Sequence, residues 1–410
     1  MTDALPYAGI RVLDLTTIVV GPTATQRLAD FGAEVIKVEP PAGDELRRLG
    51  GPSPSGGLSG KYMHFNRGKR SVCLDLKDEK ARDVLRRLVG TADVFVSNMR
   101  PAALQRLGLD PQTVRALNPA VIHCTITGFS PDGPYTGRPA YDTVVQGVSG
   151  IAGLALRRDG TPRYVPLLIC DHTVGEITVG AIAAALFRRQ RSGVGTVIEV
   201  PMFETMAAYV LQEHLGPTTF SPPLGPAGDA RVLDSFNAPV QTLDGWISLS
   251  ANTNPQAASF LRAIDRHDLL DDPRFATVQD RFRNATAWFE LRANALRRRG
   301  TDHWLRVFAE HDVPAMVCHT LESLPDDPHL KQVGIVRRRP HATEGEVADI
   351  RPSILTDGNP LPLRDAAQPL GWDTRNVLEE LGLPSEAVDM LLRDGAAHDG
   401  RAAVAVPRAD

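Results

Sequence analysis

Residues Val165–Phe187 read VPLLICDHTVGEITVGAIAAALF and place an acidic side chain at the beginning of a core element. The run Val165–Cys170 is apolar and has the length of a strand. The segment Val174–Phe187 is apolar and rich in Ala, which predicts a largely buried helix. Asp171 therefore lies at a predicted strand-to-helix turn.

Asp171 has two interpretations at this turn. An Asp just ahead of a helix commonly caps the free backbone N–H groups of the first turn. Thr173 and Glu176, however, form a T-x-x-E capping box of their own, which leaves the Asp171 carboxylate free for chemistry. The positive end of the helix dipole favours the ionised carboxylate near neutral pH, and an attacking carboxylate must be ionised.

Strands and helices alternate from the N-terminus up to this stretch and just beyond it. The predicted strands are Ile10–Leu15, Glu34–Glu39, Ser71–Leu76, Asp93–Ser97, Val121–Thr127 and Thr196–Pro201, and the predicted helices include Thr23–Phe31, Asp78–Val89, Pro101–Leu107 and Pro111–Leu117. The alternation predicts an α/β fold with a parallel sheet covered by helices. Ligands are then expected in the crevice at the carboxyl ends of the strands.

The composition of the chain changes after a predicted helix over Glu204–Leu215. Residues 201–225 are predicted to be a linker, which runs into the Pro- and Gly-rich segment Gly216–Pro239. Residues 226–335 are predicted to be a small α+β domain that begins with a hairpin turning at Asp244-Gly245. The large domain, residues 1–200, is completed by about residues 336–395, and 396–410 is predicted to be a flexible tail.

Composition excludes several classes of protein. The 410 residues are 42% hydrophobic and 23% charged, as in ordinary globular proteins, and the formal net charge of −4 gives no basic footprint for nucleic acid. The loop TTIVVGPTATQ after the first strand has neither a G-x-G-x-x-G nor a Walker pattern, so a dinucleotide or P-loop site has little support.

The cysteines and the hydropathy pattern indicate a reducing, cytoplasmic environment. Cys73, Cys124, Cys170 and Cys318 have no metal-binding spacing and lie in or beside apolar runs, which predicts buried free thiols. The N-terminus lacks a signal-peptide pattern, and no apolar run is expected to reach the ~18 residues that a membrane helix requires. We therefore expect no membrane contact.

Several motifs together resemble the family III coenzyme A transferases of the CaiB/BaiF type, which include formyl-CoA transferase and the α-methylacyl-CoA racemases. The motifs are GIRVLDLT…GP, FGAEVIKVEPP, FNRGKRSVCLDLK, VSNMRPAALQRLGL, ITGFSPDGPY…AYD, the Asp171 segment, DDPRFATVQDRFRN and HDVPAMV. They follow one another in order through most of the chain. The resemblance implies a Rossmann-like large domain that binds coenzyme A (CoA), a small domain, and two chains interlocked as a homodimer.

The resemblance also implies roles for particular residues. The family's nucleophilic Asp falls on Asp171. The family's coenzyme A contacts fall on Leu74, Asp75, Leu76, Lys77, Asn98, Met99, Arg100, Arg106, Arg138, Pro139, Ala140 and Tyr141. Arginine forks and lysine charges suit the 3′-phosphate and pyrophosphate of coenzyme A, although each taken alone is more typical of a solvated surface.

The chain departs from the family pattern at a few positions. Formyl-CoA transferase has a Gln where this chain has Val19, and its glycine-rich small-domain loop has no counterpart near residues 251–255, which argues against formate or oxalate as the partner acid. Ser97 stands where the family commonly has an acidic residue. The racemase branch has a catalytic His where this chain has Tyr141, and a Tyr with a pKa of ~10 is a poor base at neutral pH.

The reaction implied is transfer of coenzyme A from an acyl-CoA to a carboxylic acid, through an aspartyl mixed anhydride and an aspartyl-CoA thioester on Asp171. It requires no tightly bound cofactor and no metal, since coenzyme A is itself a substrate. An isomerase of the same family, either a racemase or an intramolecular CoA transferase, and a CoA-binding protein without turnover are alternatives. Cys170 is a second candidate nucleophile, but a buried inert thiol is the favoured interpretation.

Overall fold

The structure, a computed structural model, describes residues 5–401 of the chain. Its strands, in chain order, are β1 (Arg11–Leu15), β2 (Glu34–Glu39), β3 (Lys69–Leu74), β4 (Val94–Ser97), β5 (Ile122–Thr127), β6 (Thr196–Pro201), β7 (Val240–Gln241), β8 (Trp246–Leu249), β9 (Ala315–Val317), β10 (Val336–His341), β11 (Gly345–Ile350), β12 (Leu355–Thr356), β13 (Asn359–Pro360) and β14 (Ala397–His398).

The helices are α1 (Val20–Asp30), α2 (Leu46–Leu49), α3 (Gly60–Asn66), α4 (Glu79–Thr91), α5 (Pro101–Leu107), α6 (Pro111–Leu117), α7 (Asp142–Val148), α8 (Ile151–Asp159), α9 (Ile169–Ser192), α10 (Met202–His214), α11 (Asn254–Ala263), α12 (Val278–Arg283), α13 (Ala285–Leu296), α14 (Thr301–Glu310), α15 (Pro328–Val333), α16 (Thr374–Glu380) and α17 (Ser385–Arg393). Four predicted elements, β2, β6, α5 and α6, have the predicted bounds. The short helices α3, α7 and α8 were not predicted.

The central sheet has the strand order β14-β3-β2-β1-β4-β5-β6. Strands β1 to β6 run parallel, and among the described strands of this sheet β14 alone is antiparallel. Because the chain first adds β2 and β3 on one side of β1 and then β4 on the other, the connections diverge between β1 and β4, which is where such sheets open a crevice. The predicted α/β fold with a mostly parallel sheet is confirmed.

Helices cover both faces of the sheet. On one face α4, α5, α6, α16 and α17 bury apolar side chains against the strands, with Leu85, Phe95 and Leu378 among the most deeply buried. On the other face α1 and α9 pack closely on one another, with α1 over β1 and α9 over β5 and β6. Because helices cover both faces, side chains on both sides of a central strand are buried, and all four residues of β4 are buried.

Helix α9 begins earlier and runs further than the sequence predicted. The strand expected at Val165–Cys170 is wrong: Val165–Leu168 is irregular and Cys170 lies in the first turn of the helix. A short apolar run does not distinguish a strand from the start of a buried helix, which explains the error.

The 24-residue length of α9 also overturns the expectation about apolar runs. Among the helices that the structure describes, α9 is long and apolar enough to cross a membrane by length and composition. The core helix of a globular protein passes the same test, and 44% of the apolar window of α9 is buried within the protein. Its length is therefore weak support for a membrane span.

The chain divides into two compact units. The first comprises residues up to Ser149, Val165–Ala207 and the chain from His329 onward, and the second comprises Gly150–Tyr164 and Ala208–Pro328. The predicted ranges differ in two respects. The sequence did not indicate that the chain leaves the first unit at Gly150–Tyr164, and the chain re-enters the second unit at Ala208, within helix α10, rather than at residue 226 after a linker.

The second unit contains a small antiparallel sheet and a separate core. Strands β7, β8 and β9 form the sheet, and helices α11, α13 and α14 contribute the buried aromatic residues Phe260, Trp288 and Phe308. The Phe260 and Trp288 rings meet edge to face with their centroids 5.4 Å apart, a geometry that aromatic pairs favour.

The flexible tail predicted from residue 396 is wrong for its first residues. Ala397 and His398 form β14 and pair with Leu74 and Cys73 at the edge of the sheet, and both Ala396 and Ala397 are buried. A two-residue strand carries no periodicity from which the sequence could predict it. Residues 402–410 of the predicted tail lie outside the described residues.

The close approach of α9 to α1 depends on Gly175. A Cβ there would lie 2.8 Å from the Val20 carbonyl oxygen and 2.9 Å from Thr23, whereas a Cβ at Gly180 of the same helix would meet no described atom within 4 Å. Both substitutions to Ala gain the same helix propensity, so their difference isolates the clash. We expect Gly175→Ala to be less stable than Gly180→Ala by about 1–3 kcal/mol in denaturant unfolding. Equal stabilities would contradict this packing.

Candidate active site

A cleft of about 400 Å³ lies in the first unit at the carboxyl edge of the sheet. It is lined by the loops that follow β1, β4 and β5 and by the start of α9. The lining includes Thr17–Val20, Asn98–Pro101, Ile126–Phe129, Thr136–Tyr141, Asp171, Glu199 and Met202. The predicted location of a ligand crevice at this edge agrees with the position of the cleft.

Asn98 connects the two loops at the point where the strand connections diverge. Its side-chain oxygen accepts a hydrogen bond from the Thr17 backbone N–H at 3.0 Å, and its side-chain nitrogen donates to the Thr17 carbonyl oxygen at 2.9 Å. Both ends of one amide therefore bind one residue of the loop after β1. This bridge fixes the spacing of the two walls of the cleft.

Asp171 lies in the first turn of α9, is 7% exposed and lines the cleft. The N-cap residue of α9 is Leu168, so the predicted capping box of Thr173 and Glu176 is wrong. The free N–H groups are satisfied from another element. The Asp142 carboxylate, in the first turn of α7, accepts from the backbone N–H of Cys170 at 2.8 Å and of Asp171 at 3.1 Å.

Asp142 is itself held by Gln146, one turn further along α7. The Gln146 side-chain nitrogen donates to the other Asp142 oxygen at 2.7 Å, and its side-chain oxygen accepts from the Val165 N–H at 2.8 Å. The same nitrogen lies 3.1 Å from the Leu167 carbonyl oxygen. Asp142 and Gln146 thus hold the irregular segment that leads into α9, and with it the Asp171 backbone.

The electrostatic environment of Asp171 differs from the prediction. Burial, together with the nearby negative charge of Asp142, raises the pKa of Asp171 from 3.8 to about 7. The expectation that the helix dipole keeps this carboxyl ionised near neutral pH holds only in part, because desolvation disfavours the charged form. At neutral pH the side chain is present in both protonation states.

Cys170 is unsuited to be the nucleophile. Burial and the carboxylates of Asp142 and Asp171 raise the pKa of its thiol to about 12, so the reactive thiolate is scarce at neutral pH. Cys73, Cys124 and Cys170 are buried free thiols, as predicted, whereas Cys318 is exposed and corrects that prediction for one residue. Cys318 follows the short strand β9, whose burial the apolar pattern overstated.

The predicted coenzyme A contacts fall into two groups in the structure. Those that line the cleft with Asp171 are Asn98, Met99, Arg100, Arg138, Pro139, Ala140 and Tyr141. Those outside the cleft lining are Leu74, Asp75, Leu76, Lys77 and Arg106. Leu74 is fully buried in the core, whereas Lys77 and Arg106 are exposed, the first after β3 and the second on α5.

Sequence reasoning missed part of the cleft. Asp142 directly follows the predicted contact Tyr141, and the spacing of Asp142 and Gln146 by four residues was the available signal for a helical side-chain pair. Of the wall Thr17–Val20, sequence reasoning indicated only Val19. Within it Ile18 has φ +67°, a left-handed conformation that is rare for a β-branched residue.

Comparison with known proteins agrees with this architecture. A model of CoA-transferase family III matches residues 7–374. The succinate–glutarate CoA-transferase of Agrobacterium fabrum is 34% identical over 383 residues, which cover 92% of this chain and 96% of that protein. The formyl-CoA:oxalate CoA-transferase of Streptomyces avermitilis is 32% identical over 424 aligned residues, which cover 96% and 100% of the two chains.

Solved structures give the same relationship. The crystal structure of a CAIB/BAIF family protein from Brucella suis matches with a TM-score of 0.78 at 30% identity, covering 92% of this chain and 100% of that one. The fold and the relatives define an enzyme that transfers coenzyme A. The chain belongs to CoA-transferase family III.

The raised pKa of Asp171 makes stability depend on pH. Between about pH 4 and pH 7 the unfolded chain loses this proton while the folded protein keeps it, so the folded state is progressively disfavoured as the pH rises. Asp171→Asn cannot ionise. We expect its stability advantage over the wild type to grow across this window, to at most about 4 kcal/mol above pH 7, in urea unfolding at several pH values. Asp132→Asn, in an exposed loop, is the control. An advantage that is equal at pH 5 and pH 8 would contradict the assignment.

Proposed function

We propose that Asp171 is the nucleophile of a coenzyme A transfer from an acyl-CoA to a carboxylic acid. Its carboxylate attacks the thioester carbonyl, which forms an aspartyl mixed anhydride and releases the CoA thiolate. The thiolate attacks the aspartyl carbonyl and releases the donor acid, leaving an aspartyl-CoA thioester. The acceptor carboxylate and the thiolate repeat these two steps. Each step exchanges one activated acyl group for another, so the energy of the thioester is conserved.

The observation that carries this proposal is a buried carboxyl that opens onto the cleft and whose backbone is held by a second carboxylate. Asp171 is 7% exposed, and Asp142 binds its backbone N–H rather than its side chain. A poorly hydrated carboxylate is a stronger nucleophile than a hydrated one, because less solvation is lost on attack. The pKa of about 7 leaves a substantial ionised fraction at neutral pH.

Binding of coenzyme A is proposed to involve the arginines that line the cleft. Arg100 is exposed at the start of α5, and the Arg138 guanidinium lies over the Tyr135 ring, 4.8 Å from its centroid. Both can form charge-assisted hydrogen bonds to phosphate oxygens. Lys77 and Arg106 lie outside the cleft lining, so they are proposed to contact the outer, phosphate-bearing end of the ligand.

The acceptor is proposed to be a small carboxylic acid, as the names of the relatives suggest for those proteins. The wall that carries Ile18, Val19 and Val20 is apolar, and Val19 stands where formyl-CoA transferase has a Gln. This favours an acid with an aliphatic chain, such as the succinate and glutarate of the Agrobacterium relative's name, over oxalate or formate.

A mass-spectrometric experiment tests the nucleophile. Wild type incubated with an acyl-CoA is expected to carry an adduct on the Asp171 peptide, and hydroxylamine should convert it to a hydroxamate with loss of activity. Asp171→Asn is expected to bind coenzyme A with unchanged affinity but to lose transfer, because an amide oxygen is a poor nucleophile. Turnover by this variant near the wild-type rate would exclude the mechanism.

Arg100→Ala is the reciprocal control in the same experiment. It removes a proposed phosphate contact and leaves Asp171 intact, so it is expected to weaken coenzyme A binding about 30-fold, equivalent to about 2 kcal/mol. The adduct should still form at saturating acyl-CoA. An unchanged dissociation constant in calorimetry would contradict the phosphate contact and leave Arg100 as an ordinary surface residue.

The functional unit is proposed to be the interlocked homodimer that the resemblance implies. Helix α9 leaves Ile177 and Phe187 exposed by 38% and 61%, as expected of a face that a second copy covers. Because threaded chains cannot separate without unfolding, dilution should not yield monomer, and dissociation should coincide with loss of helical signal in a denaturant titration. Light scattering that finds a folded species of 44.4 kDa, the mass of one chain, would refute this arrangement.

A further inference from the structure

The wall of the cleft after β1 contains a strained residue. Ile18 has φ +67°, and a β-branched side chain in the left-handed region crowds its own backbone. Thr17, Ile18, Val19 and Val20 all line the cleft with Asp171. Such strain persists only where the surroundings hold the backbone in place. The contacts of this loop therefore show what determines the shape of the wall.

Two buried charged side chains bind the backbone on both sides of Thr17, directly before Ile18. The Asp44 carboxylate accepts the Ile18 N–H, with its two oxygens 3.1 and 3.2 Å from the nitrogen. The Lys37 ammonium donates to the Thr16 carbonyl oxygen at 2.7 Å and to Asp44 at 3.1 Å. The pair thus binds the Thr16 carbonyl oxygen and the backbone N–H of the strained residue Ile18 itself.

The pair is buried and does not itself line the cleft. Lys37 and Asp44 are each 1% exposed, whereas Gly43 and Glu45, on either side of Asp44, are among the lining residues. Lys37 stands in the middle of β2, directly beside Asp14 of β1. The Asp44 backbone N–H donates to the Glu39 carboxylate at 2.9 Å. The sheet therefore fixes both members of the pair.

Simple stabilisation is a poor explanation of this arrangement. Two charges lose their hydration on burial, and an apolar pair of the same volume is often as stable or more stable. What an apolar pair cannot supply is a carboxylate that accepts the Ile18 N–H and an ammonium that donates to Thr16. The charged pair therefore determines the conformation of the loop, which an apolar pair could not do.

We propose that Lys37 and Asp44 are positioning residues for the transfer reaction: they hold Ile18 in its left-handed conformation and so set the Thr17–Val20 wall of the cleft that Asp171 shares. This inference rests on the proposed function of Asp171. Neither side chain touches a substrate. Relaxation of Ile18 would displace the wall, and a displacement of about 1 Å near reacting groups can lower a rate about 100-fold.

Asp44→Asn tests the proposal, since the amide keeps the shape but loses the charge that pairs with Lys37. We expect kcat per folded molecule to fall about 10- to 100-fold, with coenzyme A affinity changed less than about threefold. Asp30→Asn is the matched control. Asp30 forms an equally buried ion pair with Arg67, at 2.7 Å, outside the cleft lining. It is expected to lower the melting temperature and leave kcat unchanged.

A second substitution at Ile18 separates strain from loss of packing. Gly adopts positive φ without strain, whereas Ala does not. Ile18→Gly is therefore expected to restore kcat of Asp44→Asn at least threefold, and Ile18→Ala is expected to restore none. Lys37→Gln, which removes the ion-pair partner of Asp44, should show the same loss and the same rescue, and it serves if Asp44→Asn does not fold.

The result that overturns the proposal is an Asp44→Asn enzyme, or a Lys37→Gln enzyme where Asp44→Asn does not fold, with a reduced melting temperature and wild-type kcat. Equal rescue by Ile18→Gly and Ile18→Ala would also overturn it, because the side chain rather than the strain would then matter. Failure of the proposed function gives a different result. In that case the wild type itself forms no adduct on Asp171.

Discussion

The site depends on the hydrogen bonds between the Asp142 carboxylate and the first turn of α9. Its oxygen accepts from the N–H groups of Cys170 and Asp171, groups that every helix leaves free at its start. The same carboxylate helps to raise the pKa of Asp171. One interaction therefore fixes the position of the Asp171 backbone and adds to the effect of burial on the pKa of its side chain. It also joins the starts of α7 and α9, two helices of the connection between β5 and β6, through residues that are 29 positions apart in sequence.

The rest of the cleft follows the same pattern, in which polar side chains bind backbone groups of the loops. Asn98 bridges to Thr17 across the point where the strand connections diverge. Lys37 binds the Thr16 carbonyl oxygen, and Asp44 binds the Ile18 N–H. Because the carboxyl ends of parallel strands meet at one edge, these short loops come together without a long connection. The scaffold thus leaves Asp171, Arg100 and Arg138 free to face the cleft.

Several of these features are unfavourable for folding when taken alone. A buried carboxyl with a raised pKa, a β-branched residue at positive φ and charged pairs without hydration each reduce stability. The compensation lies in the apolar core that the helices build on the opposite face of the sheet. The close packing of α9 on α1 at Gly175 contributes as well. The destabilising features and the core that offsets them lie in the same compact unit.

Local apolar patterns were enough to predict the strands β1 to β6, the parallel sheet and the edge where the cleft opens, and the order of the motifs led to the prediction of Asp171 as the nucleophile. The folded structure was needed to show that α9 begins at Ile169, that Asp142 rather than Thr173 caps it, and that the pKa of Asp171 is raised to about 7. It also placed Ala397 in the sheet. The physical reason is that helix caps, desolvation and edge pairing depend on groups far apart in the chain. A local pattern records only which neighbours are apolar.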